Sequence, residues 1–295
     1  MLDILSTEMA PPDEGRLVQM DADTYYADPC PEPSLSQSIA HVLLAKSPLH
    51  AWLQHPRLGG KARAATKAMD EGSLVHALLL GQDDQIVEVD ADSWRTNAAK
   101  EQRDAARAEG KIPVLAGELD DVRTAVNAIR LQLDLLGMKL DGASELTALW
   151  TEYAEDGTPV RCRARLDHWI KRRGLIIDLK KSRSAHPKAC VKHVEEYGYS
   201  IQHAAYTRAV VAAHPELAGR VEFRFAFFEL EEPYCLTPAK LSGEFIELGQ
   251  ARWRRAVNIW AECLRNNKWP GYADHVVTLD PPPWAVAQEM EESCE

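Results

Sequence analysis

Residues 160–182 read "VRCRARLDHWIKRRGLIIDLKKS". Two short stretches of alternating character flank "KRRG", the pattern of a β-hairpin. Side chains on a strand alternate with period two. On the first strand Arg161, Arg163, Arg165 and Asp167 therefore share one face, and Cys162, Ala164, Leu166 and His168 share the other. On the second strand Ile176, Asp178 and Lys180 share a face. Antiparallel pairing around the loop lets Asp167 and Asp178 face each other. Like charges side by side on a sheet cost energy unless something neutralises them, and a divalent cation would. Magnesium takes oxygen ligands, commonly one or two carboxylates with water and phosphate. Lys180 would stand beside such an ion, placed to orient an attacking water and to balance charge on a phosphate. The competing reading pairs both acids with the surrounding arginines. Asp178 and Lys180 taken alone read as a surface salt bridge.

The distribution of charge sharpens the choice. The chain has 295 residues and a formal net charge of −11, which by itself argues against a nucleic-acid partner. Residues 1–40 hold eight acids and one base, whereas residues 161–193 hold eleven Lys and Arg against two acids, Asp167 and Asp178. A basic run is usually a solvated face. Two isolated acids inside one need a further reason.

Composition sets the class. With 45% hydrophobic and 27% charged residues the chain reads as globular. There is no apolar run long enough to span a membrane and no basic-then-apolar start, so a cytoplasmic protein is expected. None of the six cysteines forms a CxxC pair, so neither a disulfide framework nor an iron–sulfur cluster is expected. "HPKACVKH" offers His186, Cys190 and His193 at partial zinc spacing, without an evident fourth ligand. No internal repeat and no glycine-rich phosphate loop is present.

Around the hairpin the chain divides into three parts. Residues 1–33 are acidic and proline-bearing and read as an extended arm. Residues 34–275 read as a single domain, helical over 34–140 and carrying hairpin, helix, strand and helix over 141–275. Residues 276–295 read as a loosely ordered acidic tail. Ser34 or Ser36 could cap the helix over "SQSIAHVLLA", and Gly81 closes the helix "DEGSLVHALLL". "EEYGYSIQHAAYTRAVVAAH" reads as one helix and "VEFRFAFFEL" as a strand. The expected class is α/β (α+β), a central mixed sheet flanked by helices behind a helical N-terminal part.

Other candidate residues are each ambiguous alone. Glu145, in "SELTALW", is the nearest upstream acid on an expected strand; a third carboxylate and an exposed strand charge are both open. His76 lies in an apolar helix, where a lone histidine is usually a core residue. Gly72, one turn before it, suggests a close approach by another group. Gln202 and Tyr206 are four apart and stack on one helical face, either as a surface pair or as groups holding a phosphate and the lysine.

Taken in order, "YYADPCPEPSLSQSIAHVLLAKSPLHAW", "GSLVHALLL", "SELTALW", "RCRARLDHW", "IIDLKKS" and "YSIQHAAYTRAV" resemble the RecE/RecB-type branch of the PD-(D/E)xK nuclease superfamily, in particular phage or prophage exodeoxyribonuclease VIII-like enzymes. The resemblance spans about residues 24–230. It implies a restriction-endonuclease-like core, with His76, Asp167, Asp178 and the Leu179 carbonyl as metal ligands. Glu145 would act near the metal through water, Lys180 would be the catalytic lysine, and Gln202 and Tyr206 would complete the site. It implies a magnesium-dependent exonuclease, with manganese as substitute, that degrades double-stranded DNA from its ends, 5′ to 3′. It further implies a single-strand annealing recombinase as partner, a homo-oligomeric ring, and phage or prophage origin in a bacterial cell. Arg161, Arg163, Arg165, Lys181 and Arg183, with Lys61, Arg63 and Lys67, are then expected to grip the DNA backbone. Lys181 departs from the pattern, because threonine or serine usually follows the lysine of the D-x-K motif. Two rivals stand beside this expectation: an endonuclease or single-strand nuclease of the same superfamily, and an inactive DNA- or recombinase-binding relic.

Overall fold

The computed structural model describes residues 12–60 and 67–293, without the side chains of residues 14 and 67–70. Along the chain run β1 (Asp13–Gln19), α1 (Ala22–Tyr26), β2 (Leu35–Ser36), α2 (Gln37–Ala45), α3 (Pro48–Gln54), α4 (Lys67–Leu79), β3 (Ile86–Val89), α5 (Asn97–Ala108), β4 (Ile112–Leu115), α6 (Ala116–Leu135), β5 (Ala143–Tyr153), β6 (Pro159–Ile170), β7 (Leu175–Lys181), α7 (Pro187–Glu196), α8 (Tyr199–Ala213), β8 (Glu222–Phe228), β9 (Leu236–Ala239), α9 (Gly243–Asn266) and α10 (Pro283–Glu292).

The 160–182 stretch forms the expected hairpin. β6 and β7 pair antiparallel, with His168 opposite Ile177 and Ile170 opposite Leu175. Among the described residues they sit in a seven-stranded sheet ordered β1-β5-β6-β7-β8-β9, with β2 paired to β6. β7 and β8 are parallel, joined through α7 and α8; the other neighbours along the main path are antiparallel. The sheet is mixed and flanked by helices, as the alternation of sequence textures implied.

β7 is buried on both faces, which is why "LIIDL" is almost wholly apolar. Leu175, Ile177 and Leu179 pack with Ala226, Phe228 and residues of α4 and α6, such as Leu78 and Ile129. Ile176 packs with Phe223, Phe225 and Phe227 and with α8 and α9, including the fully buried Trp253 and Trp260. Each large side chain so buried contributes about 2–3 kcal/mol of transfer free energy. Asp178 shares the Ile176 face and carries a charge into that layer.

Three sequence expectations are corrected. The single helix expected over 195–214 is divided between the end of α7 and α8, because Gly198 breaks it with φ +67°, and a Cβ there would lie 2.5 Å from His41 Nδ1. The expected N-terminal arm supplies strand β1, whose Gln19 pairs with Leu146 of β5. Its loop is pinned by Asp28, a carboxylate with its side chain fully buried. The part over 34–140, expected to be helical, also holds a small parallel sheet, β3 with β4. At the far end α10 is helical and has no buried residue. Ser36, rather than Ser34, caps α2 by accepting from Ile39 N.

α8 and α9 approach closely. A Cβ on Gly249 would stand 2.1 Å from Ser200 O, so only glycine fits there. That contact fixes α8, and with it Gln202, against the sheet. No helix among the described residues is long and apolar enough to cross a membrane.

Candidate active site

Three acids line up across neighbouring strands. Ser144 pairs with His168 and Leu146 with Leu166, which brackets Glu145 opposite Asp167. The β6–β7 register carries on from His168 and Ile177 to Asp167 and Asp178. The ladder stops at that point, and Asp167 Oδ2 accepts from Leu179 N at 2.8 Å instead. Glu145 has φ +55°, an uncommon conformation for a residue other than glycine, asparagine or aspartate and the kind of local strain that gathers at functional sites.

The row has two ends of different character. At one end α4 brings His76, whose Nδ1 lies 3.8 Å from Asp167 Oδ2 and whose Nε2 meets the Leu179 carbonyl at 3.0 Å. His76, Glu145 and Asp167 can each offer one ligand atom, all within 4.8 Å of one another. At the other end Asp178 is 1% exposed. Gln202 Nε2 donates to its Oδ2, and Lys180 Nζ lies 2.5 Å from its Oδ1. The Lys180 ammonium also sits 4.6 Å over the Tyr199 ring, a cation–π contact.

Electrostatics separate the groups further. Burial, and then the charge of Asp178, push the Asp167 carboxyl up to about 7. For Lys180, burial opposes the charged form, but Asp178, Tyr199 and Asp167 together outweigh it, so its pKa is raised and it stays an ammonium. Burial raises the Tyr206 phenol well above its usual value, with nearby Tyr25, Asp178 and Asp167 adding to it. Tyr206 packs on Phe223 at 6.1 Å between ring centroids.

These donors fit a hard divalent cation. One imidazole nitrogen and two carboxylates lie within 4.8 Å of one another, and the Leu179 carbonyl is held beside them by His76 Nε2. Beside them the buried Asp178 Oδ1 has no hydrogen-bond partner among the described residues, an acceptor that a cation would satisfy. Glu145, implied to act through water, lies within the same cluster as His76 and Asp167. Asp178, implied as a direct ligand, accepts from Gln202 through Oδ2, while its buried Oδ1, close to the Lys180 ammonium, has no hydrogen-bond partner among the described residues and is left for a cation.

The expected DNA-gripping residues fare differently. Arg163 is 4% exposed and is consumed internally. Its Nη1 donates to Ser34 O at 3.0 Å and Ser34 Oγ at 2.5 Å and lies 3.3 Å from Asp28 Oδ1. It is a structural residue, and its assignment to the DNA backbone is corrected. Arg165 bonds Glu145 and donates to Met20 O at 2.8 Å. Arg161 donates to Thr151 Oγ1 at 2.6 Å and stands 3.9 Å from Glu32. The arginine face of β6 is thus largely spent on the N-terminal segment that covers it. Lys181 pairs with Glu71 of α4, the helix that carries His76. Arg183 is exposed. Lys61 and Arg63 lie outside the described residues, as does the Lys67 side chain. Among the described residues nothing lies within 4 Å of a Cβ built on Gly72, so none of them makes the close approach expected there.

Sequence reasoning missed Tyr199, Glu71 and the Asp28 network. Tyr199 was findable: it lies three residues before Gln202 and seven before Tyr206, on the same helical face. Glu71 and Asp28 carry no local signal, because their partners lie 110 and 135 positions away.

Comparison with known proteins agrees with this geometry. A crystal structure of a candidate exonuclease from Eubacterium rectale superposes with TM-score 0.60 at 14% identity, covering 92% of this chain and 98% of that one. A phage-related exonuclease structure from Haemophilus somnus 129PT overlaps 80% of this chain and 96% of that one, at 13% identity and TM-score 0.32. No curated protein sequence matches the chain. Residues 41–280 match the profile of the PDDEXK-like domain of unknown function, DUF3799. The chain, with its carboxylate row, its Asp178–Lys180 pair and its mixed sheet, belongs to that PDDEXK-like family.

Proposed function

We propose that this protein is a magnesium-dependent exodeoxyribonuclease, with manganese as substitute, that hydrolyses phosphodiester bonds from the ends of double-stranded DNA, 5′ to 3′, leaving single strands for recombination. The observation that carries the reading is the alignment of Glu145, Asp167 and Asp178 across three strands, with Lys180 fixed beside them. His76, Asp167, Asp178 and the Leu179 carbonyl would hold the cation, with Glu145, which clusters with His76 and Asp167, acting near it through water. A bound divalent ion supplies polarisation of the scissile phosphate and a lowered pKa for water.

The protein's own groups do the rest. Asp178 and the Tyr199 ring hold the Lys180 ammonium in one place, so its protons are preorganised toward a phosphate oxygen and an incoming water. As an ammonium it acts as donor and charge stabiliser rather than as base. Gln202 fixes the Asp178 carboxylate and so fixes Lys180 at second hand. A single-strand annealing partner, a ring of identical subunits and a phage-encoded, cytoplasmic setting belong to the same proposal through the resemblance alone.

Blunt linear duplex and covalently closed circular DNA, incubated with magnesium, test the reading. The linear duplex should be degraded and the circle spared. Asp178→Ala and Lys180→Ala should abolish digestion while DNA binding persists. Equal loss of the circle would replace the exonuclease with an endonuclease. Absence of cleavage with both magnesium and manganese would leave a DNA-binding relic.

A further inference from the structure

Tyr26 sits on α1 with 66% of its surface exposed, an unusual position for a large aromatic ring. The scaffold behind it is rigid. Asp21 caps α1, accepting from Thr24 N and Thr24 Oγ1, both at 2.8 Å. Tyr25, 8% exposed, lies under the guanidinium groups of Arg163 and Arg165, at 5.7 and 5.9 Å from its ring. Tyr26 rests edge-on against Tyr25, with centroids 5.2 Å apart and planes at 67°. Buried Asp28, two residues on, pins the chain beyond it.

The placement is at the catalytic row. β1 leads straight into α1, and its last residue, Gln19, pairs with Leu146 next to Glu145. Arg165 joins the two directly, bonding Glu145 and the Met20 carbonyl. Arg165, which bonds Glu145, also lies 5.9 Å from the ring of Tyr25, and Tyr26 rests on that ring, so the exposed Tyr26 ring stands at the edge of the carboxylate row.

A strand passing the acids must be held on this side by something. The cations of β6 nearest to it are spent: Arg163 on Asp28 and Ser34, Arg165 on Glu145 and Met20. The carboxylates themselves repel phosphate. Among the described residues α1 presents at this rim a flat, uncharged, preordered ring, and the matching uncharged part of a nucleotide is its base. We propose that Tyr26 is a positioning residue that stacks on an unstacked base next to the scissile phosphate. This rests on the nuclease reading above for the location of the phosphate.

The test compares Tyr26→Ala, Tyr26→Phe and Tyr197→Ala in the full chain. Tyr197 is another exposed tyrosine, and its ring lies 5.8 Å from Tyr199, the platform under Lys180. On linear duplex with magnesium, Tyr26→Ala should raise KM about tenfold, the scale of one lost base–aromatic stack, with kcat changed less than about twofold. Tyr26→Phe should behave as wild type, because the ring rather than the hydroxyl makes the contact. In a Lys180→Ala background, where DNA binds uncut, 2-aminopurine at the terminal nucleotide should be quenched with Tyr26 or Phe at this position and not with Ala. Tyr197→Ala should leave the quench intact. An unchanged KM and quench in Tyr26→Ala would overturn the proposal. So would a Phe variant as impaired as Ala, or loss of the quench in Tyr197→Ala instead. If wild type cuts nothing, the functional reading fails, and the quench still reports on stacking by itself.

Discussion

Arg163→Ala tests the largest correction made above, from DNA contact to buried strut. The Arg163 side chain is 5% exposed and that of Asp28 is fully buried. Breaking a buried ion pair from one side costs about 3–5 kcal/mol, because it strands the remaining charge. Here Asp28 keeps donors from Ser34 N at 2.9 Å, Ser34 Oγ at 2.7 Å and Cys30 N at 3.3 Å, with His55 Nε2 at 3.3 Å. The cost should therefore sit at the low end, about 3 kcal/mol. For a chain of this size that is a melting shift of roughly 6–9 °C. The loss should also depend on pH. Burial works to raise the Asp28 pKa, but the His55 hydrogen bond, the Arg163 charge and the Ser34 donors hold it at about 2 against an ordinary 3.8. A depressed folded pKa stabilises fully above the unfolded value, and the gain disappears as pH falls through the folded one. The gap between wild type and Arg163→Ala should thus be full at pH 5 and shrink between about pH 4 and 2. Thermal melts across that range supply the measurement. An unchanged melting temperature, together with a DNA salt-dependence slope shallower by about one, would refute the burial account and restore Arg163 as a phosphate contact.

Other outcomes follow from the same geometry. The Asp167 carboxyl, raised to about 7, keeps a proton in the folded chain that the unfolded chain has already lost above 3.8. Metal-free stability should therefore fall as pH rises through that window, and the melting gain from added magnesium should grow from pH 5 to 8. A gain independent of pH, or one retained by Asp167→Asn, would contradict this. Gly249→Ala forces a Cβ into Ser200 O and should destabilise by about 1–3 kcal/mol in denaturant titration. It should also lower kcat by shifting α8 and Gln202; normal stability would mean that α9 yields freely. Lys181→Ala should cost at most about 1 kcal/mol, since its pair with Glu71 is partly exposed. Glu71→Gln should reproduce that cost, and the double variant should add nothing; a full additional loss would place the Lys181 amine on DNA instead.

The catalytic hairpin was legible because its signals are local. Period-two alternation around "KRRG" set the two strands, and counting outward from the loop put Asp167 across from Asp178. The helix over Gln202 and Tyr206 was legible for the same reason, although Gly198 cut it shorter than the polar pattern implied. What the sequence could not decide was the destination of each charge. Arg161, Arg163 and Arg165 share a face in the sequence as in the structure, yet a basic stripe reads the same whether it meets a phosphate or a folded-back segment. Only tertiary packing brought residues 13–36 over that face and spent its cations on Asp28, Ser34, Glu145 and Met20. It likewise gave Lys181 a partner on α4 and set Tyr199 beneath Lys180. Strand and helix periodicity is written within a few residues. The pairing of one ion with another is set by which distant elements share a buried layer, and that emerges only when the sheet closes.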